Sequence, residues 1–317
     1  MKKLVKILLS TILAFILIAS LIACEIVEID DVDGGTGDGT REIVGDGSTD
    51  ADDETTGDDE DDETTAEEEE AATITEMVCF EYDGLTVTAK EIVDDYLWGT
   101  GIKLHIENNS TKDYTVRVDQ AIVNNCMISE YFSCKVAAGK KTNDTLYLSS
   151  SDLKEAGIEN IGQVEIYFSV YDPNSYETVY KPSCVTIKTS FFDEMDTTVE
   201  NAGHTLYDKD GIKIVAKYVN ETSLLGKEIA LYIENNSSMN IGISCEDLSV
   251  NGYMVTDYFS ETIYSGKYAL PEITLSSSDL EENDITEINE VELKFRIYNA
   301  ETYQTIIETD ALNFKTK

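Results

Sequence analysis

The side chain with the clearest chemical potential in this sequence is the thiol of Cys24, because of the segment that precedes it. Residues 1–23 begin with three lysines, continue with a mostly apolar run from residue 8 to residue 22, and place the small residue Ala23 directly before the cysteine. A thiol at such a place can form a thioether with a diacylglyceryl group. Two or more acyl chains would hold the chain on a membrane, since each buried CH₂ contributes about 0.8 kcal/mol.

The apolar run is shorter than the roughly 20 residues that cross ~30 Å of hydrocarbon. A short apolar run that follows lysines and ends in small residues is typical of a signal peptide. The string Leu21-Ile22-Ala23-Cys24 resembles the lipobox of bacterial lipoproteins. Two alternatives are an ordinary signal peptide with a coincidental cysteine and an uncleaved anchor. We expect residues 1–23 to be removed, Cys24 to carry lipid, and the protein to lie on the extracytoplasmic face of the cell membrane.

The other cysteines do not form a recognisable metal-binding or catalytic pattern. Cys79, Cys126, Cys134, Cys184 and Cys245 show no C-x₂-C spacing, and their odd number leaves at least one thiol without an intramolecular partner. We expect free thiols. The pairs Cys79–Cys184 and Cys126–Cys134 remain open as disulfides.

The histidines are too few for a Ser–His–Asp triad with a natural candidate. His105 lies in a strand pattern and is expected at a surface or sheet edge. His204 lies in the inter-domain segment near Glu200 and Asp208, where a metal site is the alternative to a histidine with no special role. No glycine-rich phosphate-binding motif precedes a helix. Paired carboxylates are too abundant in so acidic a chain to mark a site. We therefore expect no catalytic residues, no cofactor and no metal, and a protein that is not an enzyme.

Net charge is concentrated at the start of the chain. The formal net charge is −40, and residues 25–72 hold 22 Asp or Glu against the single basic residue Arg41. This segment cannot bury enough apolar surface to offset its ordering entropy, so we expect 24–72 to form a disordered tether of at most about 160 Å. Its run DVDGG at 31–35 lacks the glycine and glutamate positions of a calcium loop. Such acidity also argues against nucleic acid as a partner.

The remainder of the chain is a tandem repeat with an offset of 127 residues. Glu107-Asn108-Asn109-Ser110 recurs at 234–237, and the string LSSSDL recurs at 148–153 and 275–280. Aligning 83–190 on 210–317 without a gap gives about 38 identities in 108 positions. Residues that are 127 apart are called twins below. The alignment predicts two homologous domains of a normal single-core size.

Each copy shows the period-2 alternation of half-buried strands. Asn251-Gly252 between two such runs predicts a type I′ hairpin, with Asn124-Asn125 as its twin. Segments 172–175 and 299–302 predict turns in the last hairpin of each copy. The recurring string LSSSDL predicts a short capped helix that ends near Gly157 or its twin.

About seven short strands in ~110 residues predict an all-β fold, with two tandem immunoglobulin-like β-sandwich domains after the acidic tether. A small barrel is the alternative. The predicted organisation is a signal peptide at 1–23, lipidated Cys24 and tether at 24–72, repeat one at 73–190, an inter-domain segment at 191–209, and repeat two at 210–317.

Several strings in both copies carry a family resemblance. The run ENNS, the hairpin NGYMV, the strings YFS and AGK, and the turn SSDL are similar to those of uncharacterised Ig-like tandem-repeat surface lipoproteins of Clostridia-type Gram-positive bacteria. The resemblance covers both repeats. It implies an envelope location and a β-sandwich fold, and it supplies no catalytic residues.

Tyrosine is abundant, with 18 residues, and exposed tyrosines suit protein or glycan contact. Tyr167, Tyr171, Tyr298 and Tyr303 fall in strand patterns and are expected to be half-buried. Trp98 is expected in a hydrophobic loop tip that covers the sandwich end, and a sugar-stacking platform is the alternative.

The expected function is that of a lipid-anchored, non-enzymatic binding or spacing module. Its expected partners are the membrane, through the N-terminal lipid, and an envelope protein or glycan; the ligand-binding residues stay undetermined. One rival is a solute- or cation-binding accessory lipoprotein, which needs a concave, polar-lined pocket between the domains. An envelope enzyme is the other.

Overall fold

The computed structural model describes residues 71–223 and 226–316. The signal segment, Cys24 and nearly all of the acidic tether lie outside the described residues. Within them the chain is almost entirely β structure, as the alternating sequence pattern predicted.

Repeat one contains ten strands and one short helix. The strands are β1 (Met77–Tyr82), β2 (Leu85–Asp95), β3 (Gly99–Asn108), β4 (Tyr114–Val123), β5 (Cys126–Ile128), β6 (Ser133–Val136), β7 (Lys140–Tyr147), β8 (Gln163–Tyr171), β9 (Thr178–Tyr180) and β10 (Val185–Lys188). Helix α1 (Ser150–Glu155) joins β7 to β8.

The described residues of repeat two form twelve strands and the equivalent helix. The strands are β11 (His204–Lys209), β12 (Ile212–Ser223), β13 (Gly226–Asn235), β14 (Ile241–Val250), β15 (Tyr253–Met254), β16 (Asp257–Tyr258), β17 (Ser260–Ile263), β18 (Lys267–Ala269), β19 (Glu272–Leu275), β20 (Glu290–Asn299), β21 (Thr305–Glu308) and β22 (Leu312–Lys315). Helix α2 (Ser277–Glu282) precedes β20, and a 3₁₀ turn (Phe192–Glu194) lies between the repeats.

Each repeat is an Ig-like sandwich of two sheets. In repeat one, the order β1-β2-β3-β7 forms one sheet, and β10-β8-β4-β5 forms the other, with β6 on β4 and β9 on β8. The inward side chains of both sheets meet in one apolar core; Leu104 and Ile106 of β3 and Phe168 of β8 are fully or almost fully buried in it. Because the two sheets are separate and face each other across this core, the barrel alternative is wrong.

Repeat two has the same plan. Strands β11-β12-β13 continue into β18 and β19 on one side, while β14 and β20 carry β15, β17, β21 and β22 on the other. Strand β11 lies inside the segment 191–209 that the sequence assigned to the connection between domains. The identities begin only at Asp210, but β11 is the twin of β1 and pairs with β12 as β1 pairs with β2.

The predicted hairpins and helices are confirmed. Asn251 and Gly252 have φ of 51° and 84°, as a type I′ turn requires, and Val250 pairs with Tyr253 across it. The side chain of Ser149 accepts a hydrogen bond from the Asp152 amide and caps α1, and Ser276 caps α2 in the same way.

The recurring asparagine of ENNS has a structural role in both repeats. Asn108 is fully buried, and its amide donates to the Lys112 and Val136 carbonyls at 2.8 and 3.1 Å. Its side-chain oxygen accepts from the Ser110 amide at 3.0 Å and the Ser110 hydroxyl at 2.6 Å. The twin Asn235 makes the equivalent four bonds. This side chain ties the β3–β4 connection to the end of β6.

A single bridge between β5 and β18 joins the two repeats into one sheet of twelve strands. Tyr268 lies beside Cys126 in parallel pairing, and its amide donates to the Asn125 carbonyl at 3.1 Å. The second sheet of repeat one thereby continues into the first sheet of repeat two. This contact is called the joint.

Side chains reinforce the joint on both sides of the bridge. The Lys267 ammonium forms an ion pair with Glu165, in which both side chains are less than one-fifth exposed, and it donates to the Asn125 side-chain oxygen at 2.9 Å. The rings of Tyr167 and Tyr264 meet edge to face at 4.7 Å. Repeat two also contributes Tyr268 to the core of repeat one. The joint is thus both apolar and ionic.

We predict that Asn108→Ala lowers the free energy of unfolding by about 2–3 kcal/mol, because the buried Val136 carbonyl loses this donor and the amide and hydroxyl of Ser110 lose their acceptor. Asn235→Ala is expected to have the same effect. The matched control is Asn109→Ala, since the Asn109 side chain is exposed. Chemical denaturation measures all three; equal stabilities for Asn108→Ala and Asn109→Ala would contradict this role.

Candidate functional site

The thiols are not placed for nucleophilic chemistry. Among the described residues, Cys79, Cys126, Cys134, Cys184 and Cys245 are all free. Burial raises the pKa of Cys126 to about 12, and of Cys79 and Cys134 to about 11, because the thiolate loses hydration. These cysteines act as small apolar side chains, and neither predicted disulfide alternative forms.

The histidines lie apart, on different strands. The Nδ1 atom of His105 lies 2.7 Å from the Asn143 side-chain oxygen on the neighbouring strand. His204 is exposed at the start of β11, where its ring stacks on Phe314 at 6.0 Å. In the described ranges, no three His, Cys, Asp or Glu side chains are grouped to hold a metal ion.

Trp98 does not cover the end of the sandwich, so that prediction is wrong. Tyr96, Leu97 and Trp98 form the exposed tip of the β2–β3 hairpin, and Trp98 is 65% exposed. The Asp95 carboxylate accepts hydrogen bonds from the amides of Leu97 and Trp98, which closes a tight turn at the tip. The ring of Trp98 meets that of Tyr147 at 6.1 Å and is otherwise directed to solvent.

The tyrosines supply the strongest candidate for a binding surface. Tyr131 and Tyr176 are more than four-fifths exposed, and their twins Tyr258 and Tyr303 are each 70% exposed. Tyr167, Tyr171 and Tyr298 are half-buried, as predicted, but Tyr303 is not, because it lies in the turn after β20 with φ of 59°. Large exposed rings at the same positions of both repeats mark a duplicated surface.

Patch one consists of Arg117, Tyr131, Tyr171 and Tyr176. The Arg117 guanidinium lies over the Tyr171 ring, with its carbon 5.2 Å from the ring centroid. The four side chains border a groove of about 550 Å³, together with Thr115, Ser133, Lys135 and Pro173. Aromatic rings, hydroxyl groups and two cationic side chains therefore line one concave surface, formed by β4, β6, β8 and the connections beside them.

Patch two consists of Arg296, Tyr298 and Tyr303. The Arg296 guanidinium lies 4.8 Å from the Tyr298 ring centroid, and the rings of Tyr298 and Tyr303 stack at 6.0 Å. Arg296 also donates to the Thr305 hydroxyl at 2.9 Å and to the Tyr303 carbonyl at 3.3 Å. These two hydrogen bonds, to β21 and to the turn before it, fix the position of the guanidinium in patch two.

The two arginines come from different strands. Arg117 on β4 lies opposite Ser169 on β8, whereas their twins are Ser244 on β14 and Arg296 on β20. Arginine and serine have changed places across one strand pair, and the guanidinium still covers the equivalent tyrosine. Cross-strand neighbours lie close enough for either position to serve. The sequence pattern missed this pairing, although the reciprocal Arg–Ser exchange between the repeats is visible in the alignment.

Polar contacts set the electrostatics of patch one. Hydrogen bonds from the side chains of Thr178 and Ser169 hold the pKa of Tyr171 below its usual value, and the Arg117 charge adds to this. Lys135 pairs with Asp113 at 3.5 Å. The positive charge of Lys135 is therefore offset within the repeat, and Arg117 supplies the cation of the patch.

A second, acidic groove of about 310 Å³ lies between the repeats. Burial raises the pKa of Glu130 to about 7, although the Ala121 amide donates to its carboxylate. Glu261, on the other side of the groove, also has a raised pKa because of burial. Burial thus disfavours the charged form of both carboxyl groups.

Comparison with known proteins yields no family. No protein-family model and no curated protein matches the chain. Among solved structures, the YadV chaperone shares 10% identity over 68% of this chain and 91% of its own, with a TM-score of 0.22. A chain of the Salmonella enterica SafA pilin–SafB chaperone complex shares 10% identity over 74% and 98%, with a TM-score of 0.24.

The Amycolatopsis orientalis exo-chitosanase CsxA shares 11% identity over 71% of this chain but only 26% of its own, with a TM-score of 0.21. These likenesses are too distant to carry an argument about function. In the part of the chain that the structure describes, no helix has the length and hydropathy to span a membrane.

Proposed function

We propose that this protein is a lipid-anchored, non-enzymatic binding module on the extracytoplasmic face of a bacterial cell membrane, and that it contacts an envelope protein or glycan through patches one and two. The observation that carries the proposal is the duplicated patch, in which an arginine covers the same tyrosine in both repeats although it comes from different strands. The anchor is argued from Cys24 and the segment before it.

The composition of the patches supports binding. Tyrosine and arginine are the side chains most enriched where truncation to alanine weakens protein contacts most. The exposed rings of Tyr131 and Tyr176 border the groove of patch one, and Arg117 and Lys135 add donors that suit carboxylate or hydroxyl groups. Such a surface fits a sugar face or an acidic peptide.

The joint fixes the position of patch one relative to patch two. Two equivalent patches on one rigidly connected pair of sandwiches present two contacts in a fixed arrangement. A ligand with repeating units can then occupy both, and the second contact forms at a high effective concentration. The acidic tether gives this pair a reach of up to about 160 Å from the membrane surface. A passive spacer would need none of these exposed rings.

The anchor is tested first. We predict that Cys24→Ala releases the protein from the membrane fraction into the medium, because the thioether bond cannot form without the thiol. Fractionation of cells that produce the natural and variant chains measures this, with Cys79→Ala as the control that should stay in the membrane. Retention of the Cys24→Ala chain would contradict the proposed lipidation.

Binding is tested with a photo-reactive phenylalanine placed at Tyr176 or Tyr303 in the membrane-bound protein. We predict that both positions crosslink to the same envelope component. Arg117→Ala together with Tyr131→Ala in the same chain should lower the yield at position 176 by about tenfold or more. Mass spectrometry identifies the adduct.

The control position is Tyr96, which is fully exposed but lies on the β2–β3 hairpin tip away from both patches. Equal adduct yields at positions 96, 176 and 303 would show that the patches have no special role. Since the patch residues are exposed, the double variant should change the free energy of unfolding by less than about 1 kcal/mol.

A further inference from the structure

The joint is formed by two surfaces, one from each repeat, which are called its donor half and its acceptor half. Each repeat also carries the twin of the half that it does not contribute to the joint. The donor half is the tip of the β4–β5 hairpin in repeat one, and the acceptor half is the edge of β18 in repeat two. Repeat two has the twin hairpin β14–β15, and repeat one has the twin edge β7. Among the described strands, β7 pairs only with β3 and ends its sheet.

The backbone of the twin halves has the register of the joint. Lys141 lies opposite Glu107, just as its twin Tyr268 lies opposite Glu234. The Tyr268 amide points outward to the Asn125 carbonyl, so the Lys141 amide also points away from β3. On the hairpin side, Gly252 is the twin of Asn125, and its carbonyl occupies the place of the acceptor.

The charged pair of the joint is preserved in the twin halves. Lys267 and Glu165 have the twins Lys140 and Glu292, both exposed, and neither has an ion-pair partner within the described ranges. Glu290, also exposed, adds a second carboxylate at the hairpin end. A basic edge at one end of the molecule and an acidic hairpin end at the other are complementary.

The contact between Cys126 and Tyr268 in the joint is replaced in the twin halves by a different attractive contact. Cys126 and Tyr268 become Tyr253 and Lys141, a ring and an ammonium that can form a cation–π contact. Tyr253 is 51% and the neighbouring Met254 64% exposed, so the hairpin tip offers unpartnered apolar surface.

We propose that this protein self-associates head to tail, with the β14–β15 hairpin of one copy added to the β7 edge of the next in the geometry of the joint. The contact is heterologous, because different surfaces of the two copies meet, so it leaves a free edge and a free hairpin at the ends and builds open chains of copies. This inference does not depend on the lipid anchor or on the patches.

Two features limit the strength of the contact. Lysines on an edge strand ordinarily discourage pairing, so Lys140 and Lys141 admit only an acidic partner. Beside the joint, the Tyr218 hydroxyl donates to the Glu155 carboxylate. The twins of these two residues are Glu91 and Glu282, and two carboxylates repel each other. We therefore expect association that is weaker than the joint and that depends on protein concentration.

The test is sedimentation velocity of the chain from residue 24 onward, with Cys24→Ala, over a concentration series. The natural sequence should form dimers and longer species as concentration rises. Lys140→Glu alone and Glu292→Lys alone should each stay monomeric, because each places like charges across the contact. An equimolar mixture of the two variants should associate again. Glu292 of the Lys140→Glu chain then meets the natural Lys140 of the Glu292→Lys chain, and at the other contact the two introduced charges are opposite and attract.

The matched control is Lys209→Glu, which makes the same charge change at an exposed side chain of β11, outside both surfaces of the contact, and should associate like the natural sequence. All changed side chains are exposed or half-exposed, and unchanged unfolding midpoints verify the fold. A natural chain that stays monomeric up to about 1 mM, single variants that associate normally, or a mixture that stays monomeric would overturn the proposal.

Discussion

The molecule depends on one small contact, the bridge from the Tyr268 amide to the Asn125 carbonyl and the Lys267–Glu165 ion pair beside it. Together with the Tyr167–Tyr264 ring contact and with Tyr268 in the core of repeat one, it connects the two sandwiches. An ion pair whose side chains are this largely buried adds little net stability over an apolar pair, but breaking it leaves a buried charge with no partner, which typically costs about 3–5 kcal/mol. The joint thus specifies one arrangement of the repeats.

Comparison of twin residues distinguishes two groups. Residues that stabilise each sandwich are identical in the two repeats, and residues that contact the other repeat are not. Asn108 and Asn235 are identical because each satisfies the same buried carbonyls. Tyr268 and Lys141 differ because one is covered by repeat one and the other faces solvent. Arg117 and Arg296 lie on strands that are not twins, yet each guanidinium covers the equivalent tyrosine. The arginine–tyrosine contact is therefore common to both repeats although the position of the arginine is not.

Local features of the fold could be predicted from the sequence, because short strings determine them. Asn251-Gly252 favours positive φ at two successive residues, and the serine before each helix offers a cap, whatever lies around them. The joint could not be predicted, since it pairs Cys126 with a residue 142 positions away and rests on one parallel bridge. Hairpin-tip exposure at Trp98 was missed for a similar reason, because apolar composition does not tell whether a tip folds back onto the core.

The joint should hold the two sandwiches as one rigid body, and residual dipolar couplings of backbone amides in a weakly aligned sample measure whether it does. For a rigid body, the couplings of repeat one and repeat two fit a single alignment tensor of the same magnitude and orientation. Two tensors that differ in magnitude would show that the repeats move independently, and would contradict this expectation.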